Sequence, residues 1–247
     1  MFSIASMLSI SNMVDGHCHI LPNIDDGPPD ADKSLEMAKI AAKDGISKII
    51  ATPHITDNRY LPSDIEKKVD QLNRILIQNN ICVQVYPGAE VSIGLDPKML
   101  AQYTINRSSY ILIEFPHDHL PSYAEKMLSW LCAKGLKPII AHPERNYSII
   151  RSPEILLNLL NSKIYVQLTA ASITGDFGQD IKYCSNFLLG SGKVDIIASD
   201  AHSTKFRPPI LSGAAKIIAK HLGKKASQRL VCENPAAILN GEEIHLD

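Results

Sequence analysis

Histidine and carboxylate side chains recur in this sequence at spacings that suit metal ions. His17 and His19 stand two apart, as do Asp200 and His202, and on an extended strand that spacing sends both members of a pair to one face. His54, Glu90, Glu114 and His142 each fall where an apolar run ends. One strand-end histidine is ordinarily a hydrogen-bonded structural residue. A His-x-His pair, an Asp-x-His pair and strand-end glutamates in one chain have no packing explanation, and together they point to a hydrolytic metal site. Imidazole with carboxylate suits zinc, manganese or iron, and an oxygen-rich set leans toward manganese. No clustered cysteine set suggests a structural zinc site.

Other residues carry less chemistry. A cysteine-nucleophile phosphatase needs Cys-x5-Arg, but the residues six beyond the cysteines are Ile24, Gly88, Pro138, Gly190 and Ile238, so that mechanism is rejected. Cys18, between two histidines on one strand, is expected to face away from them. His117 and His119 lie in a Pro-bounded loop and are expected to line the mouth of a pocket. His221 and His245 read as solvated positions on terminal helices.

The elements that must position these groups follow from the apolar periodicity. Strands are expected over 14–19, 48–52, 82–86, 110–114, 138–141, 164–168 and 194–199. Helices are expected over 31–44, closed by Gly45, and over 122–134, closed by Gly135, with others over 63–78, 153–161, 180–189 and 209–221. Alternating β and α elements imply a parallel sheet with right-handed crossovers, and seven strands suggest a closed or nearly closed barrel. In such folds functional groups collect where strands end and the next loop begins, so residues 185 positions apart can meet.

Composition agrees with an enzyme of this kind. The 247 residues are 45% hydrophobic, enough for one sizeable core. The net charge is -1, which leaves no electrostatic footprint of a nucleic-acid or membrane-surface binder. Five widely spaced cysteines suit reduced thiols and a cytoplasmic location. Residues 1–12 are apolar and Ser-rich, without a positive n-region and too short to span a bilayer; they read as a flexible leader, with Met13 as an alternative start. A single domain is expected over residues 13–247.

At VDGHCHILPNIDDGP, ATPH, PGAE, ILIEFP, IAHPERN and ASDAHSTKFRPP the sequence resembles the PHP (polymerase and histidinol phosphatase) superfamily. Within it, DDG, HPERN and the late Arg-Pro are similar to the bacterial manganese-dependent tyrosine-protein phosphatases of capsule and exopolysaccharide operons. The resemblance runs from about residue 13 to residue 240, leaving about twelve extra residues at the start. It implies a distorted (β/α)7 barrel with three divalent ions, Mn2+ or else Fe, Zn or Co, at the C-terminal rim. One ion would sit on His17, His19, Glu90 and Asp200, and a second on Glu114, His142 and a bridging Glu90. A third would take Asp26, His54 and His202, with Asp25 as an alternative to Asp26. Arg145 and Arg207 match positions that contact phosphate.

With that set, three divalent ions among four carboxylates and five neutral histidines leave a local charge of +2, which two arginines raise to +4. A bridging hydroxide lowers it to +3, still attractive to a phosphate dianion. The expected reaction is in-line attack on phosphorus by a metal-bridging hydroxide. A phenol has a pKa of about 10, so tyrosinate leaves with little acid assistance. The implied substrate is the phosphotyrosyl tail of a bacterial tyrosine kinase. The competing expectations are a small-molecule phosphatase, for example of histidinol phosphate, and a metal-binding regulator without turnover.

Overall fold

The computed structural model describes residues 12–57 and 59–244. The expected leader, except Asn12, and His245 lie outside the described residues. The strands are β1 (Met13–Cys18), β2 (Ile46–Ala51), β3 (His54–Ile55), β4 (Gln84–Pro87), β5 (Glu90–Ser92), β6 (Tyr110–Glu114), β7 (Lys137–Ala141), β8 (Tyr165–Thr169) and β9 (Ile196–Ala198). Every ladder between them is parallel, and the fold is α/β.

Seven expected strands become nine because two are interrupted. β2 breaks at Thr52-Pro53 and resumes as β3, while β4 breaks at Gly88-Ala89 and resumes as β5. Pro53 has no N–H to offer a ladder, yet its carbonyl still accepts from Glu90 N at 3.0 Å. A Cβ at Gly88 would lie 2.8 Å from Ile50 Cγ2, so close approach of the two segments requires glycine. Regular pairing therefore gives two sheets, β1-β2-β4 and β3-β5-β6-β7-β8-β9, rather than one uninterrupted ring. The outer strands meet near their ends: Cys18 pairs with Ala201, and His19 N and Asp200 N donate to Ala201 O and His17 O, each at 2.8 Å.

Helices pack outside the sheets. Helix α1 (Ala31–Asp44) has the expected limits: Asp30 caps it by accepting from Lys33 N, and Gly45 at φ 94° ends it. Helix α2 (Pro62–Gln78) starts on a proline and buries Ile65, Val69, Leu72 and Leu76, one helical stripe. Three expected helices are shorter or displaced. The segment 122–134 becomes helical only at Ala124, after a turn in which Ala124 N donates to Pro121 O at 2.9 Å. The 153–161 segment is helical only over Glu154–Leu157. That at 209–221 begins at Ser212, where Asp44 accepts from Leu211 N and Ser212 N at 2.7 and 2.9 Å.

Strand parity positions the site. Tyr110 and Leu112 of β6 and Ile139 and Ala141 of β7 share a buried cluster with Ile238 and Leu239 near the C-terminus. Ile111, Ile113 and Ile140 point into the other, larger core. Continuing the period of two along β6 carries Glu114 onto the Tyr110 face, at the C-terminal end of the strand.

Candidate metal centre

His17 and His19 emerge from the end of β1, Glu90 opens β5 and Asp200 follows β9. Their side chains are almost completely buried. His17 Nε2 lies 3.1 Å from His19 Nε2, 3.3 Å from Glu90 Oε2 and 3.4 Å from Asp200 Oδ1. His19 Nε2 lies 3.2 Å from that glutamate oxygen and 3.4 Å from that aspartate oxygen. These five separations are those of ligand atoms around one ion, since atoms at the corners of a regular tetrahedron with such edges lie about 2.0 Å from its centre, the bond length of imidazole and carboxylate to a divalent metal, and all four atoms fall within 4.8 Å of one another.

The polar accounting agrees with that geometry. Glu90 Oε2, Asp200 Oδ1 and His202 Nε2 are buried and make no hydrogen bond, whereas buried polar atoms ordinarily have partners. Lone pairs so exposed to one another fit a cation between them.

The remaining expected ligands surround this pocket. Asp26 Oδ1 lies 3.2 Å from His202 Nε2 and 3.6 Å from His54 Nε2, and one ligand atom from each of His19, Asp26, His54 and His202 falls within 4.8 Å of the others. His54 Nδ1 is also 3.0 Å from Glu90 Oε2 and 3.6 Å from Glu114 Oε2. His142 Nε2 meets the other glutamate oxygen, Glu90 Oε1, at 2.7 Å. Glu90 thus faces His17 and His19 with one oxygen and His142 with the other. All nine expected ligands reach one rim, and His54, grouped with Asp26 and His202 as expected, also falls within reach of Glu90 and Glu114.

The family model for capsular polysaccharide synthesis proteins CpsB/CapC matches residues 13–240. The chain belongs to this family. Tyrosine-protein phosphatase YwqE of Bacillus subtilis (strain 168) is 40% identical over 238 residues, covering 94% of this chain and 93% of its own. Tyrosine-protein phosphatase CpsB of Streptococcus agalactiae serotype III (strain NEM316) is 29% identical over 243 residues, covering 94% of this chain and 100% of its own. A chain from the crystal structures of YwqE from Bacillus subtilis and CpsB from Streptococcus pneumoniae, described as unique metal-dependent tyrosine phosphatases, superposes with a TM-score of 0.90 at 39% identity, covering 95% of this chain and 97% of that one.

In this CpsB/CapC member both expected arginines converge on Asp200. Arg207 Nη2 donates to Asp200 Oδ2 at 2.7 Å, and Arg145 Nη1 donates to the same oxygen. Arg145 also lies over the Phe177 ring, 5.3 Å from its centroid. Asp200 and His142 are non-glycine residues in the left-handed region, at φ 51° and 30°. Backbone strain of this kind persists where surrounding structure enforces it, and it gathers at functional sites.

Charges in this pocket perturb one another strongly. Burial opposes charge on His17 and His19, but the carboxylates of Glu90 and Asp200 outweigh it and hold both imidazoles above their usual pKa. Glu90 and Asp200 are reciprocally kept well below the carboxylate range, against burial, by His17 and its neighbours. Burial, with the charge of Glu90, pushes Glu114 up to about 7. Burial pushes His142 down to about 4, and burial with the charge of His19 pushes His202 down to about 3. Like charges crowd here, and a set of cations would relieve the carboxylates.

The two adjacent aspartates differ in their contacts. Asp25 Oδ2 accepts from His19 Nδ1 at 2.7 Å and from His54 N at 3.0 Å, so it orients the imidazole from behind. Asp26 is 64% exposed and aims at His54 and His202. A Cβ at Gly27 would sit 2.5 Å from His19 O, which explains the glycine in DDG.

Gln167, which sequence reasoning passed over, does for His17 what Asp25 does for His19. Its Oε1 accepts from His17 Nδ1 at 2.9 Å and from His142 N at 3.3 Å. The available signal was an amide inside the otherwise apolar and hydroxylic strand YVQLT, all of it buried. Asp15 accepts from Ser199 N at 2.8 Å and Ser199 Oγ at 2.5 Å, tying β1 to the loop that carries Asp200.

His117 stacks on His142 with centroids 5.8 Å apart and lies 3.8 Å from Glu114 Oε1, at the mouth of the pocket. His119 is exposed and pairs with Asp118. Cys18 is fully buried in the main core, facing away from the histidines as expected. His221 is exposed.

Proposed function

We propose that this CpsB/CapC member is a metal-dependent protein-tyrosine phosphatase that cleaves phosphotyrosine on a bacterial tyrosine kinase of capsular or exopolysaccharide synthesis. The observation that carries this reading is Asp200: one carboxylate oxygen faces the His17/His19 pocket while the other holds Arg145 and Arg207. Anion-binding forks are thereby placed beside the polar cluster that fits metal, as a phosphoryl group requires.

His17, His19, Glu90 and Asp200 would hold one divalent ion, Glu90, Glu114 and His142 a second, and Asp26, His54 and His202 a third, with Mn2+ as the favoured metal. Asp26, rather than Asp25, takes the ligand role, since the Asp25 carboxylate is already engaged by His19. Such ions, when bound, supply Lewis acidity and a water of lowered pKa. Arg145 and Arg207 bind phosphoryl oxygens and orient the ester; Gln167 and Asp25 keep the Nε2 lone pairs of His17 and His19 directed at the pocket. Tyrosinate leaves without a dedicated acid, because a phenol is acidic enough. The two sheets, read together, form a distorted (β/α)7 barrel of PHP type, with residues 13–247 as one domain. A cytoplasmic location is supported by five free cysteines, which suit a reducing compartment.

The test is to offer manganese-loaded protein a phosphotyrosyl peptide and histidinol phosphate side by side. Preferential turnover of the peptide is expected. Turnover of histidinol phosphate alone would replace this reading with a small-molecule phosphatase, and turnover of neither with a metal-binding regulator.

A further inference from the structure

Phe206 is 93% exposed, although a phenyl ring in water forgoes the burial that stabilises aromatic side chains elsewhere. The backbone that carries it is nonetheless held. Ser203 Oγ accepts from Phe206 N at 3.1 Å and from Arg207 N at 3.2 Å, while Arg207 O accepts from His202 N and Ser203 N at 3.0 and 3.2 Å. A tightly closed loop therefore presents this ring beside the arginine that pairs with Asp200.

Phe206 lines a cavity of about 370 Å³ together with Lys205, Arg207 and Asp176 and with the apolar walls of Ala170, Ala171, Pro208 and Ile210. A second cavity, of about 320 Å³, borders the opposite side of the metal pocket. Its lining carries Asp25, Asp26, His54 and Glu114 of the polar cluster described above and includes neither Arg145 nor Arg207. Of the two cavities, only the first continues from an arginine of the phosphate site onto apolar surface.

We propose that Phe206 and the cavity beside Arg207 form an aryl subsite, which holds the phenyl ring of the substrate while Arg207 engages its phosphate. The subsite rests on the phosphatase reading and adds to it a source of selectivity for phenyl over alkyl esters. Stacking on a ring carried by a hydrogen-bonded loop orders only its two side-chain torsions, and the small alanine walls leave room for a planar group. Lys205 is offset by Asp176 in the same lining, which leaves Arg207 as the net positive charge of the cavity.

Calorimetric titration of the manganese-loaded protein with phenylphosphonate and with methylphosphonate reads this subsite without turnover. Unsubstituted protein is expected to bind the phenyl compound about tenfold more tightly. Phe206→Ala should abolish that ratio and Phe206→Tyr should retain it. A ratio preserved in Phe206→Ala, or no phenyl preference in the unsubstituted protein, would overturn the subsite. Loss of the phosphatase reading has a different signature: an intact phenyl preference with no hydrolysis of a phosphotyrosyl peptide.

Discussion

Gln167 Oε1 accepts the Nδ1 proton of His17 at 2.9 Å, and both side chains are fully buried. The bond selects the tautomer whose Nε2 lone pair faces Glu90 and Asp200. The second acceptance, from His142 N, steadies a residue held at φ 30°. Gln167→Leu is therefore expected to weaken metal binding about 10- to 100-fold, measured by competition with a chelator, whereas Gln167→Glu retains the acceptor and most of the affinity. Equal affinity in Gln167→Leu would remove this positioning role.

Arg145 and Arg207 share Asp200 Oδ2 and stand at the edge of the pocket rather than within the ligand set. Arg145→Ala and Arg207→Ala are each expected to lower kcat/KM on a phosphotyrosyl peptide about 10²- to 10³-fold, the scale of losing a transition-state donor. Metal content, read by elemental analysis, should not change. Arg207→Lys should recover only part of the loss, since an ammonium cannot make two parallel bonds. Unchanged kinetics in both alanine variants would remove the phosphate-clamp role.

What was legible in the sequence depended on whether one local rule governed it. His-x-His declared itself through strand parity at the end of β1, and α1 declared its ends through Asp30 and Gly45. Asp-x-His reached the same pocket by another geometry: β9 ends at Ala198 and Asp200 turns at φ 51°, so strand parity did not govern that pair. The breaks at Pro53 and Gly88 were not legible as sheet boundaries, because interruption depends on how two segments approach in space. Helices such as Ala170–Thr174, five residues long, are too short to display a 3.6-residue period. The contacts of Gln167 with His17 and of Asp26 with His202 join residues far apart in the chain, which spacing does not encode.

Asp195 gives a prediction on stability at a distance from the metal ligands. Its carboxylate is buried, accepts from Val166 N at 2.7 Å and is pushed up to about 7 by burial, partly offset by that bond and by Arg229. A raised acid binds its proton more readily in the folded state than in the unfolded one, whose pKa is near 3.8. Its contribution is thus intact below the unfolded value and is lost as pH rises through about 7. Asp195→Asn should gain stability relative to the unsubstituted protein by about 2–3 kcal/mol between pH 5 and pH 8. Urea unfolding at the two pH values checks this; a constant difference would show that burial does not penalise the Asp195 charge.

The central claim is that His, Asp and Glu side chains at this rim hold divalent metal for phosphotyrosine hydrolysis. The most direct measurement is phosphate release from a phosphotyrosyl peptide by protein stripped with a chelator, before and after manganese is restored. The expected result is activity near background in the stripped protein and recovery on reloading, with Asp200→Ala failing to recover. Full activity in protein shown by elemental analysis to be metal-free would contradict the account.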